Sequence, residues 1–257
     1  MNAAMRLAPL PPVVGHLTGV ADVALFTCDL DAGGAAGLAA DRALLAPDEH
    51  ARADRFHFDR DRERYIRGRA FMRRRLAEVT GRAAQALPLV DGPWGKPALR
   101  DGAVAFNLSH SGALAVLAIS RAGPVGIDVE RIDRTIDVPG LSQSCFLPAE
   151  RAVLDALEPD ARQRRFFAFW TAKEAVMKRT GQGMSLPPLE IALQLEQGWP
   201  VAGLPVGAGD PGDTQHSGSG APVALIYPDL EGCDAICCLA QAPEPAPSIP
   251  LIQKGKN

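Results

Sequence analysis

Residues 125–131, Val-Gly-Ile-Asp-Val-Glu-Arg, alternate between two kinds of side chain. Val125, Ile127 and Val129 are apolar and β-branched, while Gly126, Asp128 and Glu130 fall between them. Side chains two apart on a strand share a face, so a strand over Val125 to Ile132 has one apolar face and carries two carboxylates on the other. Similar reasoning predicts strands over Val20 to Leu30, Val104 to Leu108 and Ala113 to Ser120, and near Val223 to Tyr227 and Asp234 to Gln241. Another is expected where Ile191, Leu193 and Leu195 alternate with Ala192, Gln194 and Glu196. Helical spacing appears twice. Tyr65, Met72, Leu76 and Val79 form the stripe of a long helix from Asp59 to Thr80, closed by Gly81. A second helix covers Arg162 to Thr180, and Phe166, Phe167, Phe169 and Trp170 are its core residues. Pro47-Asp48-Glu49 and Pro148-Ala149-Glu150 read as helix starts, a proline followed by acids in the first turn. Gly203 to Ala221 reads as a long flexible loop and Pro243 to Asn257 as a disordered tail. The mixture predicts an α+β fold.

Composition narrows the class. The chain has 257 residues, 47% hydrophobic and 22% charged, enough for one large domain or two small ones with a real core. A net charge of −3 argues against a general nucleic-acid binder. The longest apolar stretch, Ala113 to Ile119, is too short to span a bilayer. Prolines at 9, 11 and 12 break any apolar run behind Arg6, so no signal peptide is expected. Five cysteines, with Cys233, Cys237 and Cys238 in one apolar run, read as reduced strand thiols rather than a metal site, and point to the cytoplasm.

The candidate chemistry lies in three segments. Asp128 and Glu130 share a strand face and repel each other unless a cation stands between them. Trp170-Thr171-Ala172-Lys173-Glu174-Ala175-Val176-Met177-Lys178 is helical, with Glu174 and Lys178 one turn apart on one face. If that helix packs on the strand, three carboxylates and a lysine converge. Hard oxygen ligands in that number suit Mg²⁺, which usually also holds a phosphate-bearing substrate. Taken singly, each segment is also an ordinary solvated strand face or helix pair. The third segment, Ala105-Phe106-Asn107-Leu108-Ser109-His110-Ser111-Gly112, is predicted as a short strand running into a polar turn with two hydroxyls and an imidazole.

Together these segments resemble the 4′-phosphopantetheinyl transferase superfamily, in its two-halved, surfactin-type branch. The matching runs are Phe106 to Gly112, Gly126 to Glu130, and Trp170 to Glu174 with Lys178. Trp94-Gly95-Lys96-Pro97 and Gly181 to Pro187 add to them, so the likeness covers about residues 50 to 190. The resemblance implies two similar α+β subdomains related by a pseudo-twofold, with the active site at their interface and a monomeric enzyme. It divides the chain into 1–124, 125–242 and the tail 243–257. It implies transfer of phosphopantetheine from coenzyme A to a serine of an acyl, aryl or peptidyl carrier protein, releasing adenosine 3′,5′-bisphosphate. It assigns Mg²⁺ to Asp128, Glu130 and Glu174, base catalysis to Glu174, and the leaving phosphate to Lys178. Arg64, Lys96, Ser109, His110 and Lys178 grip the coenzyme, and Glu150 stands where the family has an acid near its site. Two family lysines are replaced by Glu49 and Arg52. Some of the nine other arginines between 52 and 75 are candidates for steering an acidic carrier. Two rival readings are another Mg²⁺-dependent phosphotransferase and a catalytically silent carrier-binding module. The first lacks a phosphate-binding Gly-x-x-x-x-Gly-Lys-Ser/Thr loop. The second sits poorly with an intact set of carboxylates.

Overall fold

The computed structural model describes residues 23–205, 222–230 and 233–243. Its elements in order are β1 (Val23–Asp29), α1 (Gly34–Arg42), α2 (Pro47–Ala53), α3 (Asp59–Thr80), β2 (Leu89–Asp91), β3 (Pro97–Leu99), β4 (Ala105–Ser111), β5 (Leu114–Ser120) and β6 (Gly126–Arg131). Then come α4 (Val138–Cys145), α5 (Pro148–Asp155), α6 (Pro159–Thr180), β7 (Ile191–Glu196), β8 (Trp199–Pro205), β9 (Val223–Ile226) and β10 (Ala235–Gln241). An antiparallel sheet in the order β1-β5-β4 belongs to the first half and one in the order β6-β10-β9-β8-β7 to the second, with β2 and β3 as a separate hairpin. The fold is α+β with two subdomains.

Alternation of side chains stacks these parts in four layers. On β5, Ala115, Leu117 and Ile119 face Phe71, Met72 and Leu76 of α3, while Val116 and Ala118 face the other way. Those two meet Val125, Ile127 and Val129 of the second sheet, together with Cys237 and Leu239 of β10. The other face of β10, through Ile236, Cys238 and Ala240, packs on Phe166, Phe169, Ala172 and Val176 of α6. The order is therefore helix, sheet, sheet, helix, with the two sheets sharing a core. Gly126 brings β6 close to α6: a Cβ there would overlap the carbonyl oxygen of Ala175 and the backbone nitrogen of Arg179.

The two halves repeat a helical device. Proline opens α2 and α5, and Glu49 and Glu150 at the third position each bond back to the amide before the helix. Both glutamates are 2% exposed, and each binds a cation from the long helix of its half, Arg73 for Glu49 and Lys173 for Glu150. The long helices end at Thr80 and Thr180, each followed by a left-handed glycine, Gly81 and Gly181. Although burial pushes the Glu49 carboxyl up, Arg73 and Arg69 hold it below the usual carboxylate range.

Several expectations change. β4 runs on through Ser109, His110 and Ser111, so the predicted polar turn is strand. Helix α1, for which there was no expectation from the sequence, forms from a stretch rich in glycine and alanine, since alanine favours helix and Asp41 gives it ion pairs to Arg67 and Arg74. β8 occupies the start of the predicted loop. Its prolines and glycine masked it, and Gly203 is required because the Val176 side chain fills the space of a Cβ. The hairpin β2–β3 and helix α4 were not expected at all, being three residues per strand and eight residues long. Cys233 is exposed, whereas Cys237 and Cys238 are buried thiols as read from the sequence. The rest of the predicted loop, residues 206–221, the N-terminal 22 residues and the tail from 244 lie outside the described residues. Among the described residues no helix is long and apolar enough to cross a membrane.

Candidate active site

β6 is the edge of its sheet, with β10 as its ladder partner on the other side. Its outward amides still need acceptors, and side chains of β4 supply them at a two-residue period. Asn107 Oδ1 accepts from Ile127 N at 2.7 Å, Ser109 Oγ from Val129 N at 3.4 Å, and Ser111 Oγ from Arg131 N at 3.1 Å. The same hydroxyls then donate to the carboxylates between those amides. Ser109 donates to Asp128 Oδ1 and Ser111 to Glu130 Oε2, both at 2.8 Å. The polar alternation of β4 thus joins the halves and orients Asp128 and Glu130 in one set of bonds.

α6 lies across this face and brings Trp170, Glu174 and Lys178, one turn apart. Lys178 Nζ stands 2.5 Å from Asp128 Oδ1, 3.0 Å from Ser109 Oγ and 3.9 Å from Glu174 Oε2. The Trp170 indole acts on Glu130 as well and lowers its carboxyl. Burial raises the Glu174 carboxyl above its ordinary range, and Asp128 and Glu130 add to the rise while Lys178 opposes it. Glu130 is also raised, by burial first and by Asp128, against the hydrogen bond from Ser111. The three carboxylates therefore lie within each other's field. Asp128 is only 2% exposed, and its Oδ2 has no hydrogen-bond partner. An orphaned, buried carboxylate oxygen beside two further carboxylates fits a hard divalent cation. Among the described residues, however, no three His, Cys, Asp or Glu side chains already form a metal-holding group; Lys178 takes the place beside Asp128.

The remaining expected residues fall into two groups. His110 is exposed at the rim of β4. Partial burial of the ring, with Lys178 and Arg64 nearby, pushes its pKa down. Arg64 reaches the same rim but is held in a two-pronged pair by Asp31, Nε to Oδ1 and Nη2 to Oδ2, each 2.7 Å. Ser109, by contrast, is buried, and its hydroxyl is full, with one hydrogen donated and both lone pairs used. Lys96 points inward as well, donating to Val125 O at 2.9 Å and to Arg179 O at 3.3 Å. Burial lowers its pKa to about 8, with help from Arg179. Glu150 lies in the core. It accepts from Leu193 N at 2.9 Å and pairs with Lys173, whose ammonium also donates to Cys145 O and Pro188 O.

Three contributors escaped the sequence reading: Asn107, Ser111 and the indole of Trp170. The signal for the first two was the period of two in Asn107, Ser109 and Ser111, which continues the strand past Leu108. Of the arginines between 52 and 75, Arg67, Arg73 and Arg75 are buried and act in the core, while Arg52, Arg55 and Arg60 are exposed.

Comparison with known proteins agrees with this geometry. Residues 36–122 match the family model described as 4′-phosphopantetheinyl transferase, N-terminal, and residues 124–216 the one described as 4′-phosphopantetheinyl transferase superfamily. The 4′-phosphopantetheinyl transferase HetI of Nostoc sp. is 39% identical over 156 residues, 59% of this chain and 66% of the relative. A putative 4′-phosphopantetheinyl transferase of Synechocystis sp. is 35% identical over 147 residues, 56% of this chain and 60% of the relative. The 4′-phosphopantetheinyl transferase of Bacillus subtilis is 31% identical over 158 residues, 60% of this chain and 68% of the relative. The chain thus spans 60 to 68% of the length of these three relatives.

Proposed function

Since this chain belongs to the 4′-phosphopantetheinyl transferase superfamily, we propose that it transfers 4′-phosphopantetheine from coenzyme A to a serine of a carrier protein. What carries this reading is the convergence of Asp128, Glu130, Glu174 and Lys178 where the two halves meet. Phosphoryl transfer needs positioning and neutralisation of oxygen charge more than covalent chemistry, and that cluster offers both.

Asp128, Glu130 and Glu174 would hold Mg²⁺, which when bound neutralises charge on the pyrophosphate oxygens. The residues of the chain do the rest. Glu174 has a carboxyl raised by burial and by its two acidic neighbours, which suits a base that takes the carrier serine's proton, directly or through a water. Lys178 leaves Asp128 to meet the phosphate oxygens of the leaving adenosine 3′,5′-bisphosphate. His110 and Arg64 are the coenzyme's contacts at the rim. Ser109 and Lys96 serve the coenzyme site from behind: Ser109 fixes Asp128 and Lys178, and Lys96 joins the start of β6 to the end of α6. The division at residues 124 and 125 and a single-chain active site with a monomeric, cytoplasmic enzyme complete the proposal.

The test is to incubate the protein with coenzyme A, Mg²⁺ and an apo carrier protein and weigh the carrier. A gain of one phosphopantetheine group is expected. An unmodified carrier across a panel of acyl, aryl and peptidyl carriers would refute the reading. Omission of Mg²⁺ should abolish the gain.

A further inference from the structure

We infer that Ser111 is a positioning residue for the metal carboxylate Glu130, a role separate from any contact with coenzyme or carrier. The inference rests on the metal reading proposed above. Its basis is one hydroxyl with two fixed partners in the second half of the molecule. Ser111 Oγ donates to Glu130 Oε2 at 2.8 Å and accepts from Arg131 N at 3.1 Å. The amide bond sets the direction of the hydroxyl, and the hydroxyl sets the rotamer of the glutamate.

Glu130 needs such help. It is half-buried beside Asp128, and like charges on one strand face push the two side chains apart. Left to its rotamers, Glu130 would swing toward solvent. Held by Ser111, it remains within the field of Asp128 and Glu174. Ser109 does the corresponding work for Asp128, but it also holds Lys178 and is buried, so its loss would disturb several things at once. Ser111 is the separable case. The other partner, Arg131, is exposed, so its amide can turn to water when the serine oxygen is lost, and folding should change little.

The experiment measures binding of Mn²⁺, used as a probe for the divalent site, by the fall in free-ion electron paramagnetic resonance signal. Wild type, Ser111→Ala, Ser111→Thr and Asp128→Asn are compared, each with a melting temperature in the absence of metal. Loss of an outer partner of a metal ligand usually costs about 10-fold to 100-fold in affinity. Ser111→Ala is expected to bind Mn²⁺ about tenfold more weakly at an unchanged melting temperature. Ser111→Thr keeps the hydroxyl and should recover most of that loss. Equal affinity of wild type and Ser111→Ala overturns the inference. So does an affinity loss that tracks a fall in metal-free melting temperature and that threonine does not recover. If Ser111→Ala does not fold, Ser111→Thr decides: affinity near wild type supports the inference, and a loss like that of Asp128→Asn overturns it. If the wild type itself binds no Mn²⁺, the metal reading falls and takes this inference with it, a result distinct from a serine that makes no difference.

Discussion

Asp128 is where a single residue carries most weight. Read from the sequence it stands on the polar face of a strand. In the structure that face is covered by α6, and the carboxylate is buried with one oxygen held by Ser109 and Lys178 and the other unpaired. In the metal-free protein its pairing with Lys178 is offset by Glu130 and Glu174, whose like charges oppose it. Asp128→Asn keeps an acceptor for Ser109 and removes the charge. The expected outcome is a fall in carrier modification of about a hundredfold or more, the scale of a lost electrostatic contact at a transition state. The metal-free melting temperature should move by no more than about 2 °C, equivalent to about 0.5–1 kcal/mol for a chain of this size. Near-normal transfer by the variant would remove Asp128 from the site. A large drop in melting temperature would make its role structural.

At the scale of elements, the contact of β6 with α6 sets the site. Gly126 allows it, since any Cβ would run into the backbone of α6 at Ala175 and Arg179. Backbone cannot step aside as a flexible side chain can, so Gly126→Ala should force the strand outward and cost about 3 kcal/mol in urea unfolding, the upper part of the usual range for overpacking. An unchanged unfolding midpoint would show that the strand has room after all. Lys96 secures the same junction from its far end, where its ammonium meets the carbonyls of Val125 and Arg179. Burial lowers its folded pKa to about 8 from 10.5. Below pH 8 both folded and unfolded chains carry the proton, and the buried charge is a cost to folding. Between about 8 and 10.5 the folded chain has released the proton while the unfolded chain keeps it, so stability rises with pH, by at most about 1.4 kcal/mol per unit. Lys96→Met lacks that rise. The difference in melting temperature, wild type minus variant, should therefore increase from pH 7.5 to 10, and a flat difference would mean that the lysine is not desolvated.

At the scale of the whole molecule, charge decides how a partner approaches. Many arginines between 52 and 75 are tied into the core or paired with acids, as Arg67, Arg73 and Arg74 are with Asp41 and Glu49. Arg52 and Arg55 are exposed, and among the described residues no acid pairs with either. If an acidic carrier docks there, long-range attraction should raise its association rate and fade with salt. The double variant Arg52→Glu, Arg55→Glu is expected to raise the carrier KM about tenfold at low ionic strength and to flatten its salt dependence. Its KM for coenzyme A should remain as in wild type. Carrier kinetics that do not change, or a defect confined to coenzyme A, would place the docking surface elsewhere.

Periodicity in the sequence was enough for the strand from 126 to 131 and for both long helices, and local end signals for Gly81 and for the two proline-opened helices. Local preference and the burial of one face act over a few residues there, and the pattern records them directly. The identities of Asp128, Glu130, Glu174 and Lys178, with their spacing, likewise carried the likeness to the family. Tertiary structure alone decided three things. It placed Ser109 and Ser111 on a strand rather than a turn, because their hydroxyls satisfy amides of a strand that is distant in sequence. It turned Glu49 and Glu150 inward as matching anchors, because each meets a cation from another helix. It also turned Lys96 away from the rim and into the junction of β6 and α6. A polar residue reads alike in a sequence whether water or a buried partner satisfies it. The partner is chosen only when the two sheets come together, and the residues that hold this site in place were for that reason the hardest to read.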